Sequence, residues 1–193
     1  MRPWYGRRPV DPTRAPRRLP APAVTSLVGR LRRMPRERAA DLITAAAYGT
    51  VLVLGALAFV APSDVADGHG LELVAGVGVA TWVAHVFADL VGEHVRHSGR
   101  LTADELRWSL VSGTPILVAT VLPGLALGLG RLAVIGDDVA IWIATTIALC
   151  QMVGVGATVG MLRQGGRRAI WLFVLATAVF GLAVTAVKVQ LGH

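Results

Sequence analysis

Four ionisable residues, His85, Asp89, Glu93 and His97, recur at a strict spacing of four. On an α-helix each such step advances about 6 Å and turns about 40°. The four side chains therefore form one slowly winding stripe. It begins inside an apolar run long enough to cross a bilayer. Ionisable groups in a membrane helix are costly, so they face a bundle interior or a water-filled cavity. Alternating imidazole and carboxylate groups suit a proton relay. The same donors suit zinc, iron, nickel or manganese. The stripe is about 18 Å long, so one ion cannot touch all of it. A metal would take neighbouring members, from His85, Asp89, Glu93, His94 and His97, plus a ligand from elsewhere. A divalent metal is thus the one cofactor the sequence leaves room for, and it requires none. The plainer alternative is that Asp89 and Glu93 are solvated near the surface, while His85 is neutral and bonded to a neighbouring carbonyl.

Other chemistry finds little support. Glu93-His94-Val95-Arg96-His97 resembles the zinc-protease signature only superficially. That signature places the acid between two histidines four apart. No nucleophile elbow and no phosphate-binding loop is present. Cys150 is the single cysteine, so an intrachain disulfide is excluded, and a small buried side chain is expected there. Gln151 is expected to bond between helices. Thr102 and Glu105 have the spacing of a capping box. Asp137 and Asp138 precede an apolar run, where they complement a helix dipole.

Five apolar runs must position the stripe: 42–61, 73–91, 108–129, 139–162 and 169–187. Each has roughly the twenty residues needed to cross the hydrocarbon core. Asp41 is placed to cap the first. The third contains Gly113, Pro115, Pro123 and Gly124, which predict a kink or a broken helix. Ser109, Ser112, Thr114 and Thr120 are available to satisfy the freed backbone groups. Gly124 and Gly128, and likewise Gly156 and Gly160, form GxxxG pairs that allow close helix packing, within one bundle or across a homo-oligomer.

Basic residues alternate between the connections. The segment 62–72 has no Lys or Arg, whereas 92–107 holds Arg96, Arg100 and Arg107, and 163–168 holds three arginines. By the positive-inside rule, the N-terminus is cytoplasmic and the C-terminus outside. The expected fold is an all-α membrane protein: a five-helix bundle at 39–193 behind a disordered Arg/Pro-rich tail at 1–38. That tail holds eleven arginines. It points to anionic lipid headgroups, and the net charge of +7 carries no nucleic-acid signal. Within it, Leu27, Val28 and Leu31 fall on one side of a short amphipathic turn that suits the membrane interface.

Trp82-Val83-Ala84-His85-Val86-Phe87-Ala88-Asp89 and the ending Val187-Lys188-Val189-Gln190-Leu191-Gly192-His193 resemble segments of small multi-span integral membrane proteins of high-GC actinobacteria. The resemblance implies a multi-pass protein of the bacterial inner membrane and no particular activity. Five spans are also similar in number to vacuolar-iron-transporter-like proteins. Those place an acidic metal-binding region between spans two and three, where this chain has only 92–107, so their sites are not carried over. The expected function is a small transporter or channel with a proton or cation path along the second span. A non-enzymatic membrane scaffold is the alternative, and an intramembrane metalloenzyme ranks third.

Overall fold

The structure is a computed structural model that describes residues 23–97, 102–162 and 166–191. Every regular element among them is helical: α1 (Ala23–Arg33), α2 (Arg36–Ala58), α3 (Pro62–Asp67), α4 (His69–His97), α5 (Ala103–Ser112), α6 (Thr114–Arg131), α7 (Asp137–Leu162) and α8 (Gly166–Leu191). Four helical stretches are long and apolar enough to cross a membrane: Arg36–Ala58, His69–Val95, Ala103–Arg131 and Asp137–Leu162. The chain is thus compatible with an integral membrane protein. In α8 the apolar stretch among described side chains, Ile170–Val179, is shorter.

α2 is central and packs against α4, α6, α7 and α8. α4 lies at one side, against α2, α5 and α6. The main apolar cluster joins Val53 and Leu57 of α2, Val65 of α3, Val74 of α4, Leu127 of α6 and Ala140, Ala144 and Ala148 of α7. The three alanines recur every fourth residue and so share one helix face. Much of the remaining apolar surface points outward, including Phe87, Trp142 and Trp171, as bilayer contact requires and water does not favour.

The elements begin earlier than the apolar runs suggest. α2 starts at Arg36, directly after Pro35. Asp41 is therefore an exposed residue of the second turn rather than a cap. Proline before the first turn costs no ladder bond, because the first N–H groups have no intrahelical acceptor. α4 extends past the apolar boundary to His97. The predicted break in the third span occurs at Gly113, between α5 and α6, with Pro115 in the first turn of α6. Pro123 produces no break, and α6 runs through it.

Two further features lie outside the expected scheme. α3 forms in the connection after α2, where the Asp64 carboxylate accepts from the Ala61 N–H at 2.8 Å. α1 is helical although it lies in the 1–38 stretch expected to be a disordered tail; residues 1–22 of that stretch lie outside the described residues. Val28 and Leu31 of α1 are buried, and α1 packs against α7 and α2.

The capping box at Thr102 is present in full. Glu105 Oε2 accepts from the Thr102 N–H at 2.7 Å, and Thr102 Oγ1 accepts from the Glu105 N–H at 3.3 Å. It starts the helix that carries Ser109 and Ser112 toward α4. Arg38 of α2 stacks over the Trp108 ring, 4.8 Å from its centroid, and ties α2 to the same helix.

Candidate functional site

The first two members of the stripe are brought together. His85 Nε2 lies 3.7 Å from Asp89 Oδ2, within ion-pair reach but beyond hydrogen-bonding distance. His85 Nε2 is buried and has no hydrogen-bond partner among the described residues. Its ring does not bond a neighbouring carbonyl through this nitrogen, the arrangement an inert core histidine would show. Glu93 follows one turn further on and is half-buried, whereas His94 is exposed. The side chain of His97 lies outside the described residues. No three His, Cys, Asp or Glu side chains converge as a metal site among the described residues.

The sequence reading missed the partner of Asp89. Ser112 Oγ, fully buried, stands 3.0 Å from Asp89 Oδ2 and 3.0 Å from the Ser109 carbonyl oxygen. A hydroxyl carries one hydrogen, so it donates to only one of these oxygens at a time. When Asp89 is ionised, the hydroxyl donates to the carboxylate. When Asp89 carries a proton, that proton is donated to Ser112 Oγ, and the hydroxyl turns to the Ser109 carbonyl. The same three oxygens therefore accommodate both charge states of Asp89 without moving a heavy atom.

The α5–α6 joint creates this arrangement. Gly113 ends α5, and the carbonyls near it take side-chain donors. Leu110 O accepts from Thr114 Oγ1 at 3.3 Å and from Trp82 Nε1 of α4 at 3.4 Å. Gly113 itself sits against Trp82 and His85. An added Cβ there would lie 2.8 Å from Trp82 Cδ1 and 3.2 Å from His85 Cδ2. Only glycine lets α4 and the joint approach this closely. The signal was readable as Ser109, Ser112 and Gly113 just ahead of Pro115, since polar residues cluster where a membrane helix breaks.

Depth can be judged from either helix. Ser112 lies nine residues past Ala103 and Asp89 eight residues before His97, which are about 14 Å and about 12 Å along the axes. Asp89 thus lies two turns inside the end of α4 but only about 3 Å inside the apolar run that closes at Val91. The Asp89 side chain retains 36% of its exposure and His85 19%. The cluster opens outward at Asp89 and closes inward at His85.

The GxxxG pairs divide. An added Cβ on Gly156 would lie 2.8 Å from the Phe173 carbonyl oxygen, and one on Gly160 would lie 2.6 Å from Ile170 Cα. Both glycines therefore seat α8 against α7. Gly124 makes only an ordinary contact with Leu71, and Gly128 faces open space. Two polar positions also differ from expectation. Cys150 is exposed rather than buried. Gln151 Oε1 is buried with no hydrogen-bond partner among the described residues.

The chain matches no protein family model, and no curated protein and no solved structure is significantly similar to it.

Proposed function

We propose that this chain is a five-span protein of the bacterial cytoplasmic membrane, N-terminus inside and C-terminus outside, that conducts protons along the inner half of α4. The observation that carries the reading is the Asp89–Ser112–Ser109 contact beside the unpartnered His85 nitrogen. The fifth span is α8, whose 26 residues extend about 39 Å, enough for a hydrocarbon core of about 30 Å. The orientation follows from the charges. The end of the bundle that carries Arg32, Arg36 and Arg38 is cytoplasmic, and the end that carries Asp64, Asp67, Asp137 and Asp138 is external.

The proton steps as far as His85 balance with this chain's own groups. A proton arriving from the cytosol by way of Glu93 binds Asp89, which donates it in a hydrogen bond to Ser112 Oγ. Transfer to His85 Nε2 leaves an imidazolium beside a carboxylate, and the Ser112 hydroxyl turns back to stabilise that carboxylate. Transfer requires the 3.7 Å gap to close to about 3.2 Å, or to widen enough to admit one relaying water. His85 is the deepest member of the stripe, and its imidazolium returns to neutral by giving the proton to a water that enters the bundle beyond it. Cation passage along the same stripe uses the same opening at Asp89.

The test is flux in vesicles reconstituted with purified protein. Wild type should dissipate an imposed pH gradient faster than empty vesicles, and His85→Ala or Asp89→Asn should return the rate to that of empty vesicles while the protein stays folded. Wild-type vesicles that leak neither protons nor cations above the empty control would overturn the reading and leave a membrane scaffold. Stoichiometric zinc or iron lost on His85→Ala would replace it with a metal site.

A further inference from the structure

α1 combines three surfaces on eleven residues. Val28 and Leu31 are buried against the bundle. Arg32 Nη2 donates to the Met161 carbonyl oxygen at 2.7 Å, so this arginine caps the C-terminal turn of α7. Leu27 stays 44% exposed, as does Met34 at 39% just beyond the helix. Arg30 and Arg33 are exposed on α1, and Arg36 follows at the start of α2. No acidic residue occurs from Ala23 to Arg36, and the next one is Glu37. At 100° per residue, Leu27 lies about 40° around the helix from Leu31, and Arg30 about 60° further in the same direction. Around the helix the order is protein-facing residues, an uncovered apolar edge, then arginines.

That order fits a helix lying in the plane of a bilayer surface, with its apolar edge at the acyl boundary and its cations at the phosphates. A soluble polyanion would match the arginines but would leave Leu27 and Met34 in water. We propose that α1 is an anionic-phospholipid-binding helix: docked on α7 through Val28, Leu31 and Arg32, it presents Arg30 and Arg33, joined by Arg36 at the start of α2, to the phosphates of the cytoplasmic leaflet. The proposal rests on the membrane-spanning reading and the orientation above, and it is independent of proton conduction. Arg32, already bound to α7, holds the helix in place and leaves the other three for lipid.

Each basic residue near an anionic leaflet strengthens association about fivefold, so three supply on the order of a hundredfold. The full chain is placed in nanodiscs of phosphatidylcholine or of phosphatidylglycerol, and amide hydrogen exchange is followed. In phosphatidylglycerol the amides of Leu27–Arg33 should exchange on the order of ten- to a hundredfold more slowly than in phosphatidylcholine. The difference should shrink with added salt and vanish in the triple variant Arg30→Gln, Arg33→Gln, Arg36→Gln. Protected amides in α2 and α7 in every sample would show that the bundle remains folded. Equal exchange of α1 in the two lipids would overturn the proposal, as would a triple variant that keeps the difference. Proton flux has no bearing on either outcome.

Discussion

Replacing Ser112 by alanine tests the site at its most buried atom. Ser112 is fully buried, and its hydroxyl is the hydrogen-bond partner of Asp89. The substitution removes one oxygen, creates almost no cavity and leaves Asp89 Oδ2 short of a donor. A hydrogen bond to a charged group contributes about 1.5–3 kcal/mol, and one between neutral groups about 0.5–1.5 kcal/mol. If Asp89 is ionised in the resting protein, Ser112→Ala should cost about 1.5–3 kcal/mol. In the background of Asp89→Asn the carboxylate is gone, and the same change should cost only about 0.5–1.5 kcal/mol. The expected coupling is therefore about 1 kcal/mol, the difference between the middles of the two ranges, and above the few tenths seen between independent sites. Denaturant unfolding in detergent micelles measures all four proteins of the cycle. Additive losses, within about 0.5 kcal/mol, would show that the Ser112 hydroxyl does not sense the charge of Asp89 and would remove the basis of the two-state relay. Proton flux adds a readout that stability does not move: Ser112→Ala should slow flux severalfold in vesicles where the protein is fully folded, and Ser112→Thr, which keeps the hydroxyl, should restore it in part.

The helix joints give further tests. Gly113→Ala places a methyl group against Trp82 and His85, so it should cost about 1–3 kcal/mol as overpacking and lower flux by displacing His85, both measured on the same preparation. Gly160→Val should destabilise the protein by a similar amount, because the new side chain meets the backbone of Ile170, whereas Gly128→Ala, facing open space, should be neutral or stabilise by about 0.5–1 kcal/mol through helix propensity. Unfolding midpoints of the two variants separate a packed glycine from an unpacked one. Reporter tags at Gly68 and after His193 should be accessible from outside, and tags at Arg100 and Gly165 from the cytosol; cytosolic labelling after His193 would break the five-span topology.

Four long apolar helices were legible because hydropathy and length are one-dimensional properties, and a bilayer selects on both. The break at Gly113 was legible for a related reason, since glycine and proline act on their own backbone. Pro123 carried the same signal without producing a break, and the difference lies in context: it is buried inside α6, where packing holds the helix line. The approach of His85 to Asp89 was legible, because a spacing of four places two side chains on one side of α4. The partner of Asp89 was not, because no periodicity in α4 specifies the residue opposite it. That pairing depends on where the Thr102 capping box starts α5, how many residues separate it from Ser112, and how closely Gly113 admits Trp82 and His85. Each is a local feature visible in the sequence, but only their combination sets the 3.0 Å contact. The start of α2 was misplaced for the opposite reason. Arg36 and Glu37 are polar and so fall outside any apolar run, yet they are good helix formers, and α1 docked by Arg32 on Met161 gives the chain a fixed point from which α2 can begin. Polar helix ends of this kind are where a bundle meets the aqueous phase, and in this chain they carry both α1, packed against α7 and α2, and Glu93, one turn beyond Asp89.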